Sequence, residues 1–525
     1  MNTSATEKLS RLVSEHRQVL LKGGLVGLEK ESLRVGADGI IAQTPHPAAL
    51  GSALQHPWVT TDYSEALLEL ITPPLDGPQA ALTFLEKLQQ FVYQRLDNEL
   101  LWSASMPCVV QGEAGIPIAR YGSSNIGQMK TVYRRGLGHR YGKIMQVIAG
   151  VHYNYSFPEP LWAAYQAQEQ DTRPLQAFMS DHYFRTIRNL QRFGWLVPYL
   201  FGASPAVCKS FLEGTPTRLR PYNENSYYSP HATSLRMCDI GYQNSREDEL
   251  GFKADYDSLE SYVTSLRRAI STPCPRHAEI GVKVDGEYRQ LNANMLQIEN
   301  EYYSSVRPKQ VPGENEQPTH ALARRGVRYV ELRSLDINPF DPRGIDITQC
   351  RFLETFMAFC LLQDSPAISP VERREIDINL DAVCYRGREP GLTLQRNGQT
   401  LTLQQWAGEL CEAMQPFATA LDDGEEGTPY QDALQDQLKA VADPEQTCSA
   451  RVLNAMRENG EGYFHFARRM SLQHQRYFLG LQEDAARITQ FEKDVTRSLA
   501  DQRAVEAADT LSFDDFLAWY FSQTP

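Results

Sequence analysis

Up to about residue 380 the chain alternates two patterns. In short runs, apolar and polar side chains trade places at every second position; in longer stretches, apolar residues recur at helical spacing, with turn clusters such as "ITPPLDGP" and "INPFDPRG" between them. Beyond that point the pattern is almost wholly helical, in "LTLQQWAGELCEAMQPFATAL", "CSARVLNAMREN", "QEDAARITQFEKDVTRSLADQRAVEAAD" and the closing "FDDFLAWYF". The segment before Gly27 also reads as a helix. These periods predict an α+β fold, with a mixed region over residues 1–390 and a helical portion over 391–525 packed on the same unit.

Several of the strand-like runs place charge where an apolar face is expected. "GLEKESLRV" sets Glu29 and Glu31 two residues apart, and "EALLELIT" sets Glu69 between Leu67 and Ile71, with Asp62 just upstream. "GVHYNYSF" puts His152, Asn154 and Ser156 on one face, and "YVELRSLDI" puts Glu331 and Arg333 opposite Val330 and Leu332. "MLQIENEYY", read as a further strand, offers Gln297, Glu299 and Glu301.

An antiparallel sheet with one wet face produces the same alternation, and any one of these runs alone fits that explanation. Taken together they do not, because the polar positions hold carboxylates with one His and one Arg rather than a mixture of Lys, Thr and Ser. Two carboxylates ~4 Å apart repel by roughly 4 kcal/mol at an effective dielectric near 20, so such a cluster requires cations or protons. Oxygen ligands with at most one imidazole and no thiolate suit Mg²⁺ or Mn²⁺, and Mg²⁺ so held usually completes its shell with water and phosphate, which points to a nucleotide.

Composition narrows the picture. At 42% hydrophobic and 22% charged residues the 525-residue chain is ordinary globular protein, long enough for more than one domain. The start is too charged for a signal peptide and no run is apolar enough for a membrane span, so a cytoplasmic protein is expected. The nine cysteines form no CxxC, which removes thiolate-metal and redox motifs. From Leu401 to Pro525 there are 21 Asp/Glu against 10 Lys/Arg, so −11 of the net −13 lies there. Such a segment repels nucleic acid and anionic lipid, and the chemistry is sought where charges balance.

Nucleotide signatures of the usual kind are missing. "GLGHRYGKIM" has three residues between Gly138 and Gly142 where a P-loop needs four, and Ile144 follows Lys143; it reads as a turn or loop leading to the element that carries Gln146. No GxSxG, HExxH or kinase catalytic-loop motif occurs. A bound nucleotide must then be gripped by metals, arginines and strands.

The segments "GLEKESLRV", "TTDYSEALLELITP", "YGKIMQVIAGVHYNYSF", "RFGWLVPYLFGASPAVC", "TSLRMCDIGY", "LQIENEYY" and "YVELRSLDINPFDP", in order from about Gly27 to Pro342, closely resemble the proteobacterial-type glutamate–cysteine ligases. The resemblance implies a glutamine synthetase-like antiparallel sheet curved into a funnel, and formation of γ-glutamylcysteine from L-glutamate, L-cysteine and ATP through a γ-glutamyl phosphate. It implies Glu29, Glu31, Asp62, Glu69, His152 and Glu331 as ligands of Mg²⁺ or Mn²⁺, and Arg333 on the transferred phosphoryl group. Arg236 matches the glutamate-binding arginine, and Tyr63, Tyr133, Leu137, Gln146, Tyr242 and Tyr303 match the cysteine pocket. Two rivals remain: a ligase of the same fold using another amine, which the compact aromatic pocket disfavours, and an inactive sensor, which retention of every carboxylate-bearing run disfavours.

Overall fold

A computed structural model describes residues 3–14, 18–241 and 252–523. Six strands order the functional part: β1 (Leu25–Val35), β2 (Val59–Thr61), β3 (Leu67–Ile71), β4 (Val151–Ser156), β5 (Val306–Lys309) and β6 (Tyr329–Leu335). They lie in the order β5-β6-β4-β1-β3-β2, every neighbour antiparallel, and the two-residue strands Leu75–Asp76 and Leu100–Leu101 pair with β1 to complete an eight-stranded sheet.

Register decides which side chains share a face. Glu31 pairs with Glu69, Glu29 with His152, Asn154 with Glu331, and Glu331 with Arg307. Directly opposed residues point the same way, so one polar belt crosses five strands. The other face is apolar: Leu28, Leu68, Leu70, Tyr153, Tyr155, Val330 and Leu332 are all buried. Between Leu332 and Leu335 the pairing of β6 with β4 slips, so that Leu335 lies opposite Val151. Without this bulge-like slip Leu335 would follow Glu331 and Arg333 onto the polar face; with it, Leu335 returns to the core.

The apolar face is covered by helices. Ile347–Leu362 opens with an Asp346–Gln349 capping box and is buried almost all round, because its sequence is apolar on every side. It lies between the sheet's Tyr153 and Tyr155 and the helices Leu403–Leu421 and Pro429–Ala442. The helix Tyr463–Gly480 packs on Gly77–Tyr93 and on Leu100–Leu101. One continuous core runs from Ala5 to Phe491, and among the described residues no helix is long and apolar enough to cross a membrane.

Two expectations from the sequence need correction, and one pairing lies outside what the sequence addressed. "MLQIENEYY" is not a strand: Glu299–Glu301 is a 3-10 turn, and its carboxylates are taken up locally. Glu299 accepts from the Thr319 hydroxyl at 2.6 Å, while Glu301 accepts from Arg140 at 2.8 Å and Tyr141 at 2.7 Å. The first half of "GLGHRYGKIM" is not a loop but the end of the helix Asn125–Tyr141, stopped at Gly142 with φ 82°; Gln146 follows in a 3-10 turn. Finally, Cys108 and Cys208 form a disulfide with Cα atoms 5.3 Å apart, a pairing across 100 residues that no local spacing could signal.

Candidate active site

The centre of the belt is His152. Its Nδ1 lies 2.9 Å from Glu29 Oε2 and 3.5 Å from Glu331 Oε1, and its Nε2 lies 3.5 Å from Glu31 Oε1. One donor atom each from Glu29, His152 and Glu331 fall within 4.8 Å of one another. Asn154 Nδ2 donates to Glu29 Oε1 at 3.0 Å and the Gly150 N–H donates to Glu31 Oε2 at 2.7 Å, so backbone and amide groups fix both β1 carboxylates. Glu69 stands opposite Glu31 across β1 and β3.

Electrostatics differ along the belt. Burial opposes ionisation of Glu331, but Lys309 and Arg333 override it and hold the carboxyl well below its usual range. Burial also opposes charge on Glu29, where the His152 hydrogen bond wins and the pKa is lowered. Glu69 goes the other way: burial, then Glu29, Asp62 and Glu31, push it well above the usual carboxylate range. Burial raises Glu31 too, against His152. The cluster therefore holds more acid than its cations neutralise on the Glu31–Glu69 side.

The donor set fits a hard divalent cation. Among the described residues, buried His152 Nε2 has no hydrogen-bond partner and Glu331 Oε2 has only the Lys309 ammonium at 3.3 Å, a costly arrangement for the imidazole nitrogen unless something else approaches it. The remaining donors are carboxylate oxygens, the ligands Mg²⁺ and Mn²⁺ prefer.

Two cavities border the belt. One, of about 170 Å³, is lined by Asp62, Tyr63, Tyr133, Leu137, Gln146, Tyr303 and Arg333 among others. The other, of about 360 Å³, is lined by Glu29, Trp58, Ile71, Pro73, Tyr155 and Tyr329. Trp58 is held there by Asp494, whose carboxylate accepts from the indole N–H at 3.0 Å, so the helix Ala485–Ala508 of the acidic portion shapes the second cavity. Arg236 is buried and is not among the residues lining the first cavity; its Nη2 donates to the carbonyl of Arg333, which is. A Cβ on Gly150 would stand 2.1 Å from that Nη2, so the glycine is what admits the guanidinium.

Of the residues singled out in the sequence, Glu29, Glu31, Glu69, His152, Glu331 and Arg333 share the belt. Asp62, Tyr63, Tyr133, Leu137, Gln146 and Tyr303 line one cavity with Arg333. Tyr242 lies outside the described residues. Sequence reasoning missed Lys309, 3.3 Å from Glu331, and Arg307 and Arg134 in the first cavity's wall. "VRPK" does carry two cations on alternate positions, and Lys130, Arg134, Leu137 and Tyr141 recur at helical spacing, but neither pattern says what it faces.

An antiparallel sheet that concentrates carboxylates, one imidazole and arginines between two cavities has the groups to hold a hard cation and a nucleotide's phosphates together, as a nucleotide-using enzyme requires. The family model described as glutamate-cysteine ligase matches residues 9–383. Over 527 residues, covering 99% of this chain and 98% of the relative, the chain is 50% identical to a glutamate–cysteine ligase of Azotobacter vinelandii. It is 48% identical to that of Alcanivorax borkumensis over 98% of this chain and 99% of the relative. The crystal structure of the Francisella tularensis glutamate–cysteine ligase in complex with AMP superposes with a TM-score of 0.89 at 36% identity, covering 95% of this chain and 98% of the other. The chain belongs to the glutamate–cysteine ligase family.

Proposed function

We propose that the belt and its two cavities carry out the ligation of L-glutamate to L-cysteine at the expense of ATP, with each cavity serving a different substrate. The chain is a carbon–nitrogen ligase that makes γ-glutamylcysteine, the first step of glutathione biosynthesis. The observation that carries the reading of the site is that Glu29 borders one cavity and Arg333 the other, with His152 and Glu331 between them. A reaction that joins a phosphoryl donor to an amino-acid acceptor needs such a meeting point.

The cavity of Trp58, Pro73 and Tyr329 offers flat apolar surface for a base, which would send the phosphates toward Glu29. Glu29, Glu31, Asp62, Glu69, His152 and Glu331 would hold Mg²⁺. So held, the cation would offset charge on the nucleotide phosphates. Arg236 anchors glutamate. Arg333, its guanidinium steadied by Glu331 at 2.9 Å, presents a fixed fork to the oxygens of the γ-phosphoryl group as it passes to the γ-carboxylate. In that step the β–γ phosphorus–oxygen bond breaks and ADP leaves. Tyr63, Tyr133, Leu137, Gln146 and Tyr303 then seat cysteine so that its amine meets the acyl carbon, the carbon–oxygen bond breaks and phosphate departs. Activation is needed because a carboxylate oxygen leaves badly and phosphate leaves well.

The test is phosphate release from ATP with Mg²⁺ and glutamate while the amine is varied, with products weighed. Release that depends on cysteine and yields a γ-glutamyl dipeptide is expected. A larger or diamine acceptor preferred over cysteine would favour the rival ligase.

A further inference from the structure

We infer that Asp336 is a positioning residue for the glutamate site, setting the place of Arg236 through two serines; this rests on the reading of Arg236 given above. Asp336 follows β6 directly, so the strand that brings Glu331 and Arg333 to the belt also delivers this carboxylate. Its side chain is fully buried and accepts three hydrogen bonds: from Ala203 N at 2.8 Å, from Ser204 Oγ at 2.6 Å and from Ser234 Oγ at 2.8 Å. A buried charge is tolerated when its lone pairs are so filled.

The donors come from two separate segments, joined by a parallel bridge between Ser204 and Ser234. The second of these segments carries Arg236. Ser204 spends its one hydroxyl proton on Asp336, which leaves its oxygen to accept from the Arg236 backbone N–H at 3.3 Å. The Arg236 guanidinium then sits with Nη1 4.0 Å from Asp336 Oδ1 and Nη2 on the Arg333 carbonyl. Position along the backbone and direction of the side chain are both referred to the end of one strand. The slip between Leu332 and Leu335 matters here, because it lets that strand turn Leu335 into the core immediately before presenting Asp336.

Asp336→Asn tests this closely. The amide keeps the shape, but the Ala203 N–H cannot reverse, so the oxygen must stay with Ala203 and Ser204 while the N–H₂ turns to Ser234, whose hydroxyl reverses; Arg236 Nη1, 4.0 Å away, then faces a donor where it faced a carboxylate oxygen. The expected result is a rise in KM for glutamate of about 10- to 100-fold, with KM for cysteine and Mg-ATP changed by less than about threefold and melting temperature little altered. Ser234→Ala, which removes one donor and is expected to fold normally, should move glutamate KM the same way by roughly three- to tenfold. It carries the test if Asp336→Asn does not fold. An unchanged glutamate KM in the folded variants, or all three KM values and the melting temperature shifting together, overturns the inference. Arg236→Lys separates the two layers. If it leaves glutamate KM unchanged, the assignment of Arg236 to glutamate fails; if it raises KM while Asp336→Asn does not, only the role of Asp336 fails.

Discussion

Glu31 on β1 and Glu69 on β3 are direct register partners, so two carboxylates face each other across neighbouring strands on the polar face of the sheet. Opposed side chains on antiparallel strands stand roughly 5 Å apart at Cβ, and like charges there destabilise the fold. Glu69 shows the effect, its pKa driven well up by burial and by three neighbouring acids. A cation held between them would convert that repulsion into binding energy.

Glu69→Gln should therefore stabilise the metal-free protein and weaken its response to Mg²⁺. Wild type at a Mg²⁺ concentration about 100 times its Kd gains about 2.7 kcal/mol from binding, and the variant should gain clearly less. Thermal melts with EDTA and with Mg²⁺ measure both effects, and ligase activity should drop by at least about tenfold. A variant less stable than wild type in EDTA, with an undiminished Mg²⁺ shift, would remove Glu69 from the metal site.

Arg333→Lys should lower kcat by roughly 100-fold, because a point charge replaces a fork aimed at developing phosphate charge. KM for glutamate should stay within about threefold. Steady-state kinetics read the split, and altered glutamate KM at normal kcat would put Arg333 on the amino acid instead.

The cavity proposed for cysteine should accept 2-aminobutyrate and discriminate against serine by about 10- to 100-fold in kcat/KM, since a hydroxyl pressed among Tyr63, Tyr133 and Leu137 loses water. Among the described residues the buried Tyr63 hydroxyl has no hydrogen-bond partner, so Tyr63→Phe should keep or raise the melting temperature. Competition between the two amines, with products resolved by mass, gives the ratio. Equal use of both amines would contradict an apolar seat.

Glu354 offers a pH test away from the metal site. Burial pushes its carboxyl from 4.5 up to about 7, although Tyr430 and Tyr155 donate to it at 2.7 and 3.2 Å. A carboxyl whose folded pKa is raised contributes stability below the unfolded value and loses it as pH rises to the folded one. Relative to Glu354→Gln, wild type should therefore lose up to about 3 kcal/mol between pH 4.5 and 7 and change little beyond. Urea unfolding of both proteins across that range measures it, and parallel curves would rule the carboxyl out.

What the sequence determined by itself was the set of inward charges. Glu29, Glu31, Glu69, His152, Glu331 and Arg333 could be assigned to one face of their own strands because side-chain direction in a strand follows from a period of two, a local property. The helical C-terminal quarter was legible for the same reason at a period of 3.6. "MLQIENEYY" misled because its alternation is real but its acids are consumed by Thr319, Arg140 and Tyr141, partners distant in sequence.

Only the tertiary structure decided which strands are neighbours, and hence that Glu29 meets His152 and Glu31 meets Glu69. It alone brought Cys108 to Cys208, set Asp494 on Trp58, and let Gly150 make room for Arg236. Each of these is a contact between segments whose separation along the chain is settled by packing of the common core. A one-dimensional pattern records which way a residue points, and pairing across a sheet determines what it points at.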